Sequence, residues 1–194
     1  MSPAPARTSR DAILGAARAL LEEEGLDAVT MAAVADRVGV RPPSLYKHLR
    51  DRAELVSGVV SAAAGELTEE LEVARAAPAD AASRVHAIGA AYRAFARRNP
   101  RASALFFADL GPDLQIPQAE LARSVRPILE VAAAIAGEDH ALPAARTLTA
   151  FVHGFTSMES AGAFRLGGDV DEAFVLGIDA LIRGLGSADF ARDS

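Results

Sequence analysis

Between positions 30 and 55 the apolar residues recur at intervals of three and four, the spacing that places side chains on one face of a helix. The first such stripe is formed by Met31, Val34, Ala35 and Val38. Thr30 precedes the stripe at the N-cap position, and Gly39 follows it where a left-handed residue commonly ends a helix. The pattern therefore predicts a short helix over residues 31–38.

A second short helix is predicted directly after this one. Pro42 and Pro43 suit a first helical turn, whose N–H groups have no partner within the helix. Leu45 and Leu49 then give the helix an apolar face. Two short helices joined by a few residues that include glycine form the helix-turn-helix pattern. With a further predicted helix over residues 9–24, they make a three-helix unit.

The remaining chain also shows only helical periodicity, and we expect an all-α fold. A long helix opens at the capping box formed by Asp51 and Glu54. The later predicted helices cover 52–75, 80–98, a short stretch with Leu105, Phe106 and Phe107, 121–137, 143–166, and a last helix from 169. We place the domain boundary within the long helix, which gives domains at 1–55 and 56–194.

Composition and charge narrow the possible functions. The 194 residues include no cysteine, so disulfides and thiolate sites are excluded. No stretch of about 18 apolar residues exists, and we expect a soluble, cytoplasmic protein with no membrane partner. Residues 1–52 carry 8 Lys/Arg and 7 Asp/Glu, whereas the remainder carries 12 and 19. A cationic end on an acidic body would present one surface to a polyanion.

The charge is concentrated around the predicted second helix. Five basic residues oppose the single acid Asp51 in this stretch: Arg37, Arg41, Lys47, Arg50 and Arg52. In a helix-turn-helix the second helix enters the major groove of DNA. The side chains off its apolar face are Ser44, Tyr46, Lys47 and His48. Their hydroxyl, ammonium and imidazole groups can bind phosphates and base edges.

The run from Ile13 to Leu55 resembles the DNA-binding domain of TetR-type transcriptional regulators. The resemblance rests on Thr30-Met31 with VADRVGVRPPSLYKHLRDRAEL, which holds the Gly-Val turn, Leu-Tyr-x-His and Glu-Leu. Leu49 stands where this family usually has Phe, Arg52 where it has Lys, and Arg41-Pro42-Pro43 where a Ser-Pro-Gly-like start is typical. The resemblance implies binding to double-stranded operator DNA. It assigns Thr30, Ser44, Tyr46, Lys47 and Arg52 mainly to phosphates, and Arg41, Pro43 and His48 to positions nearer bases or backbone.

The last two predicted helices have the character of an interface. One carries a stripe of small residues that lets another helix approach closely: Ala150, Gly154, Ser157 and Ala161. The final helix is apolar on more than one side, with Phe174, Ile178, Leu181 and Ile182. The segment from Phe151 to Phe155 resembles a TetR subgroup with a Trp-x-x-His-Gly-like motif. That resemblance implies a homodimer formed through a four-helix bundle.

The family resemblance also implies a small-molecule effector bound in the helical C-terminal domain. The candidates to line its pocket are Tyr92, Phe95, Phe106, Phe107, Phe155 and Met158. An uncharged lining of this kind fits a small, partly apolar molecule. Any one of these side chains taken alone is more often core than pocket.

No catalytic or metal-binding motif competes with this interpretation. His153 is expected to be a hydrogen-bonded core or interface group, and Glu138-Asp139-His140 a solvated turn. We expect no cofactor and no metal, and we do not expect an enzyme. The sequence thus predicts a ligand-responsive regulator, a repressor in most cases of this kind. Two alternatives stay open: a small all-α enzyme, and a helical interaction module that has lost DNA binding.

Overall fold

The computed structural model describes residues 9–77, 79–108 and 118–187, with side chains in the last range from Arg123 onward. Within these ranges every regular element is helical, as predicted. The α-helices are α1 (Arg10–Glu24), α2 (Met31–Val38), α3 (Arg52–Ala76), α4 (Ala81–Arg98), α5 (Pro100–Ala104), α6 (Gln118–Ala136), α7 (Ala141–Ser160) and α8 (Val170–Ser187). None of the helices in the described ranges has the length and apolarity needed to cross a membrane.

The chain forms two compact units. The first comprises Met1–Ala64 and Asn99–Pro117, and the second comprises Gly65–Arg98 and Gln118–Ser194. Helix α3 therefore begins in the first unit and ends in the second. The first unit reaches beyond residue 55, the boundary drawn from the sequence, and it includes the short helix α5, which the sequence pattern had placed in the other domain.

Reciprocal hydrogen bonds between α1 and α5 explain why α5 belongs to the first unit. The Glu22 carboxylate accepts from the backbone N–H groups of Arg101 at 3.1 Å and Ala102 at 2.8 Å. In return, the Arg101 guanidinium donates to the carbonyls of Leu21 and Glu22 at 3.2 and 3.1 Å. Each helix end thus contributes hydrogen bonds to backbone groups at the end of the other helix. The predicted helix at 105–107 is wrong in position, because α5 ends at Ala104.

The core of the first unit follows the predicted stripes. The buried side chains include Ile13, Ala17, Val34, Leu45, Leu49 and Leu55. Leu26 and Val38, which the pattern also assigned to the core, are only half-buried. Burial of this set stabilises the unit because apolar surface is removed from water.

Local capping groups begin α2 and α3, and end α2, where the sequence predicts. The Thr30 hydroxyl accepts from the Ala33 N–H at 3.1 Å, and the Asp51 carboxylate accepts from the Glu54 N–H at 2.8 Å. Gly39 ends α2 with φ 77° and ψ 33°, a left-handed conformation that costs a residue with a Cβ considerably more than glycine.

Helix α7 is shorter than the pattern predicted. It ends at Ser160 and not near Leu166, because Gly162 adopts φ 63° and turns the chain. The N–H of Ala163 then donates to the Met158 carbonyl at 2.9 Å. Helix α8 begins as predicted, with the Asp169 carboxylate accepting from the Glu172 N–H at 3.1 Å.

A buried arginine joins three helices of the second unit. Arg93 on α4 is 6% exposed and donates two hydrogen bonds to the carboxylate of Glu159 on α7, at 2.6 and 2.9 Å. Asp171 on α8 lies 2.8 Å from the same guanidinium. The guanidinium carbon lies 4.7 Å from the ring centre of Phe174 and 5.5 Å from that of Phe155. We call these five residues the Arg93 cluster.

The Arg93 cluster predicts a specific loss of stability in acid. The hydrogen bonds that Arg93 donates lower the pKa of Glu159 from 4.5 to about 2. The folded state therefore binds this proton less readily than the unfolded chain does, so the stabilisation is complete above about pH 5 and is lost as the pH falls toward the folded-state pKa. This contribution to the free energy of unfolding is at most about 3 kcal/mol. Urea unfolding of Glu159→Gln across this range should show a flatter pH dependence than wild type.

Glu70→Gln is the matched control for that measurement. Glu70 pairs with Arg98 at 2.7 Å, but both side chains are well exposed. An exposed ion pair contributes about 0–1 kcal/mol, so this variant should keep the wild-type acid dependence. If the pH dependence of stability were flattened equally in both variants, Glu159 would have no special role in acid unfolding.

Candidate nucleic-acid interface

The segment after α2 is a 3₁₀ helix over Pro42–Lys47, where the sequence predicted an ordinary short helix. Its i to i+3 hydrogen bonds include Ser44 N–H to the Arg41 carbonyl at 2.9 Å. We call Pro42–Lys47 the recognition segment. Proline at its first two positions favours this tight turn, because proline has no N–H to donate and a fixed φ.

The recognition segment buries Leu45, leaves Ser44 half-buried and exposes its other side chains. Leu45 is 0% exposed, whereas Tyr46 is 56% exposed and Lys47 is also exposed. Because a 3₁₀ helix has three residues per turn, side chains at i and i+3 align. Ser44 therefore shares an edge with Lys47, and Pro43 shares the neighbouring edge with Tyr46.

Much of the positive charge counted in the sequence is matched within the first unit. Arg37 donates to both carboxylate oxygens of Glu23, at 2.7 and 2.6 Å. Arg50 pairs with Glu54 at 3.0 Å, and the pKa of Glu54 is lowered chiefly because its carboxylate accepts the Arg50 backbone N–H. The net charge of this stretch is therefore larger than the positive charge that is free to attract a polyanion.

Two cations remain at the tip of the unit. Arg41 and Lys47 are both exposed, and neither has an ion-pair partner among the residues that the structure describes. Sequence reasoning counted five equivalent basic residues and missed this division. The spacing of Arg50 and Glu54, four residues apart at a helix start, was the one available signal for a pair.

Arg52, which the family resemblance assigned to phosphate, has partners inside the protein. Its guanidinium donates from Nε to the Val29 carbonyl and from Nη2 to the Leu26 carbonyl, each at 2.7 Å. Thr30 likewise uses its hydroxyl oxygen as the cap of α2. His48 is half-buried at the end of the recognition segment. Four of the remaining predicted contacts are exposed and one, Ser44, is half-buried; the exposed four are Arg41, Pro43, Tyr46 and Lys47.

The six residues predicted to line an effector pocket are divided between the two units. Tyr92 and Phe95 are buried in the second unit, where Phe155 packs against Phe174 with ring centres 5.1 Å apart. Met158 is 51% exposed. The other two lie in the first unit because α5 returns there, Phe106 half-buried and Phe107 60% exposed. The assignment of these side chains to an effector pocket stays a prediction.

Tyr92 forms a polar pair with His153 in the second unit. The Tyr92 hydroxyl and His153 Nδ1 are 3.0 Å apart, which confirms His153 as a hydrogen-bonded group. Burial raises the pKa of Tyr92 to about 12 and lowers the pKa of His153, so both side chains are uncharged near neutral pH. On α6, a separate open groove of about 290 Å³ is lined by Leu129, Glu130, Ala133, Ala134 and Glu138, which the sequence did not indicate.

The predicted interface residues divide between surface and core. Ala150, Ser157 and Ala161 are exposed, and Gly154, Leu181 and Ile182 are half-buried. Phe174 and Ile178 are 4% and 1% exposed within the chain itself, and their assignment to an interface is corrected. They face α4 instead, where a Cβ on Gly89 would lie 2.6 Å from Ile178 Cδ1. The outer side of α8 presents Val175 and Leu176, which the sequence analysis had not singled out.

The Glu138-Asp139-His140 stretch is a 3₁₀ turn, and its two carboxylate residues are exposed. Among the described residues no group of His, Asp or Glu side chains is placed to hold a metal ion.

An all-helical chain whose first unit exposes a cationic helix-turn-helix tip is a DNA-binding regulator of the helix-turn-helix class. Comparison with known families agrees at both ends of the chain. Residues 13–59 match the family described as bacterial regulatory proteins, tetR family, and residues 85–181 match the tetracyclin repressor-like, C-terminal domain. The protein belongs to the TetR family of transcriptional regulators.

Individual relatives support the same assignment. The HTH-type transcriptional regulator Rv0681 of Mycobacterium tuberculosis, itself uncharacterized, is 30% identical over 162 residues, covering 81% of this chain and 73% of the relative. The uncharacterized regulator YobS of Bacillus subtilis is 29% identical over 95% of this chain and 96% of its own. A solved structure of a protein of unknown function from Rhodococcus sp. RHA1 superimposes with a TM-score of 0.79 at 26% identity, covering 94% and 99% of the two chains.

Proposed function

We propose that this regulator is a repressor that acts in the cytoplasm, binds palindromic operator DNA as a homodimer and is released by a small, partly apolar molecule. The observation that carries the DNA-binding part is the exposed tip of the first unit. Arg41, Tyr46 and Lys47 project from it, and the two cations have no ion-pair partner among the described residues. A surface of this kind gains free energy by displacing counterions from DNA.

We assign some side chains of the tip to phosphates and others to bases, according to their positions along it. Ser44 and Lys47 share one edge, and we assign that edge to phosphates together with Tyr46 and the Thr30 hydroxyl, which can still donate its proton. Arg41 and Pro43 are assigned nearer to base edges or the DNA backbone, because the N-terminal residues of a recognition element approach the bases. His48, at the other end of the segment, is assigned with them on the family resemblance alone.

Replacing Lys47 with Ala should weaken binding to every DNA sequence. Each lost phosphate contact reduces the slope of log affinity against log salt by about 0.9, so a dimer that loses two contacts should change by about 1.8. Fluorescence anisotropy with a labelled duplex over a salt series measures this slope. Arg126→Ala is the control, because its guanidinium pairs with Glu72 in the second unit. If the slope for Lys47→Ala equalled that of wild type, Lys47 would not contact phosphate.

The proposed dimer rests on the outward surfaces of α7 and α8. Ala150, Ser157 and Ala161 would let a helix of a second copy approach closely, and Val175 and Leu176 add exposed apolar area on α8. The resemblance of residues 151–155 to the subgroup with the Trp-x-x-His-Gly-like motif supports the same pairing. A two-fold dimer presents its two recognition segments to half-sites about 34–36 Å apart.

The proposed effector site lies in the second unit, whose sequence matches the tetracyclin repressor-like C-terminal domain. Phe95 and Phe155 offer apolar contact, and the Tyr92–His153 pair offers an uncharged donor and acceptor. A ligand would release DNA only if it bound more tightly to a conformer whose half-site spacing no longer fits the operator. A screen of small molecules against the protein–operator complex tests this, and turnover of any of them would favour an enzyme instead.

A further inference from the structure

The guanidinium of Arg52 links the start of α3 to the turn before α2, and so joins the two ends of the helix-turn-helix. Arg52 is the first residue of α3, directly after the recognition segment and its exit turn. Its two acceptors, the carbonyls of Val29 and Leu26, lie 23 and 26 residues earlier, in the turn between α1 and α2. The side chain therefore joins the two ends of residues 30–51, the stretch that contains α2 and the recognition segment.

Both ends of this stretch are otherwise well fixed, so the position of Arg52 is defined. Val29 is 1% exposed and Leu55, one turn into α3, is 0% exposed. The caps at Thr30 and Asp51 hold the first turns of α2 and α3. Among the residues that the structure describes, the Arg52 fork is the one hydrogen-bonded link that runs directly from the start of α3 to the turn before α2.

A lysine cannot make the same link. The planar guanidinium presents its donors in a rigid fork that reaches two acceptors at once, whereas an ammonium is a single point charge on a flexible stem. Lysine, the residue usual in the family at this position, would retain the charge and the ability to attract a phosphate. Arginine and lysine carry the same charge at this position, but only arginine can also hold both carbonyls. Comparing the two residues therefore separates a positioning role from simple attraction of a phosphate.

We propose that Arg52 is a positioning residue for operator recognition, which sets the orientation of the recognition segment through the Leu26 and Val29 carbonyls and does not bind phosphate. This inference rests on the proposed DNA-binding function. Orientation matters most for contacts to base edges, which carry sequence information, and little for the electrostatic attraction that governs non-specific binding. Loss of the fork should therefore reduce specificity more than general affinity for DNA.

The test compares wild type with Arg52→Lys and Arg52→Ala on two probes. One probe is the duplex that wild-type protein enriches from a random-sequence library, and the other is a shuffled duplex of the same length. Arg52→Lys should lose at least about tenfold in affinity for the enriched duplex, because the fork is lost. Its affinity for the shuffled duplex and its salt slope should match those of wild type. Arg126→Lys, the same exchange at an arginine whose guanidinium pairs with Glu72 in the second unit, is the control and should bind both duplexes as wild type does.

Three results would overturn the inference. If Arg52→Lys bound as tightly as wild type while Arg52→Ala lost affinity and about 0.9 in salt slope per contact, Arg52 would be a phosphate ligand. Equal losses on both duplexes, with a matching fall in the folded fraction by circular dichroism, would make the fork merely structural. Neither result affects the proposed function. If wild type enriched no duplex at all, the proposed function would fail and the positioning role with it.

Discussion

Arg93→Ala is expected to lower the free energy of unfolding by about 3–5 kcal/mol, because it removes the buried partner of Glu159 and leaves that carboxylate paired only with the exposed Arg97. The guanidinium carbon of Arg93 lies 5.5 and 4.7 Å from the ring centres of Phe155 and Phe174, and the guanidinium donates two hydrogen bonds to Glu159. Its removal leaves a cavity beside both rings and a largely buried carboxylate. Chemical denaturation followed by circular dichroism measures the loss.

Arg97→Ala provides an unusually close control for this prediction. Arg97 contacts the same two carboxylates, Glu159 at 2.8 Å and Asp171 at 2.9 Å, but its side chain is 51% exposed. An exposed pair contributes about 0–1 kcal/mol, so its loss should be small. Similar losses in the two variants would indicate that burial of Arg93 does not determine its contribution.

Leu45→Ala is expected to destabilise the first unit by about 2–5 kcal/mol, since the side chain is 0% exposed and its loss leaves a cavity. Operator binding should fall with the folded fraction of that unit. The adjacent variant Tyr46→Ala should behave in the opposite way. Tyr46 is 56% exposed, so its removal should change stability by no more than about 0.5 kcal/mol while weakening DNA binding directly.

Urea unfolding and DNA binding measured on the same two samples separate these effects. Leu45→Ala should shift the unfolding midpoint, and Tyr46→Ala should leave it in place. A destabilised Tyr46→Ala together with an unchanged Leu45→Ala would mean that the inward and outward sides of the recognition segment have been assigned the wrong way round.

The sequence predicted features whose cause lies within a few residues of chain. Thr30, Asp51 and Asp169 cap helices as expected, and Gly39 ends α2, because each acts on backbone groups two to four positions away. The apolar stripes also identified Leu45 and Leu49 as core, since periodicity alone fixes which side of a short helix is apolar.

Features that depend on distant partners could not be predicted in this way. Nothing near Glu22 in the sequence indicates that it caps α5, some 80 residues later. The same holds for Arg52, whose acceptors are carbonyls in another turn, and for Arg93 with Glu159. Long polar side chains reach whichever partner the packing of helices brings near, and that packing is not encoded by local spacing.

Local spacing also does not show to which unit a side chain belongs or which side of a helix is covered. Phe107 and Phe155 have the same apolar character in the sequence, but Phe107 belongs to the first unit and Phe155 to the second. Phe174 and Ile178 were assigned to an interface because α8 is apolar on more than one side. Only the structure shows that these two side chains face α4 and that Val175 and Leu176 face outward.

The central claim is that the exposed tip of the first unit enters a groove of duplex DNA. The most direct test is selection of duplexes from a random library by the wild-type protein, followed by a salt titration of the enriched duplex. We predict an inverted repeat with half-sites about one helical turn apart and an affinity that falls steeply with salt. Enrichment of no common sequence, or an affinity independent of salt, would contradict the account.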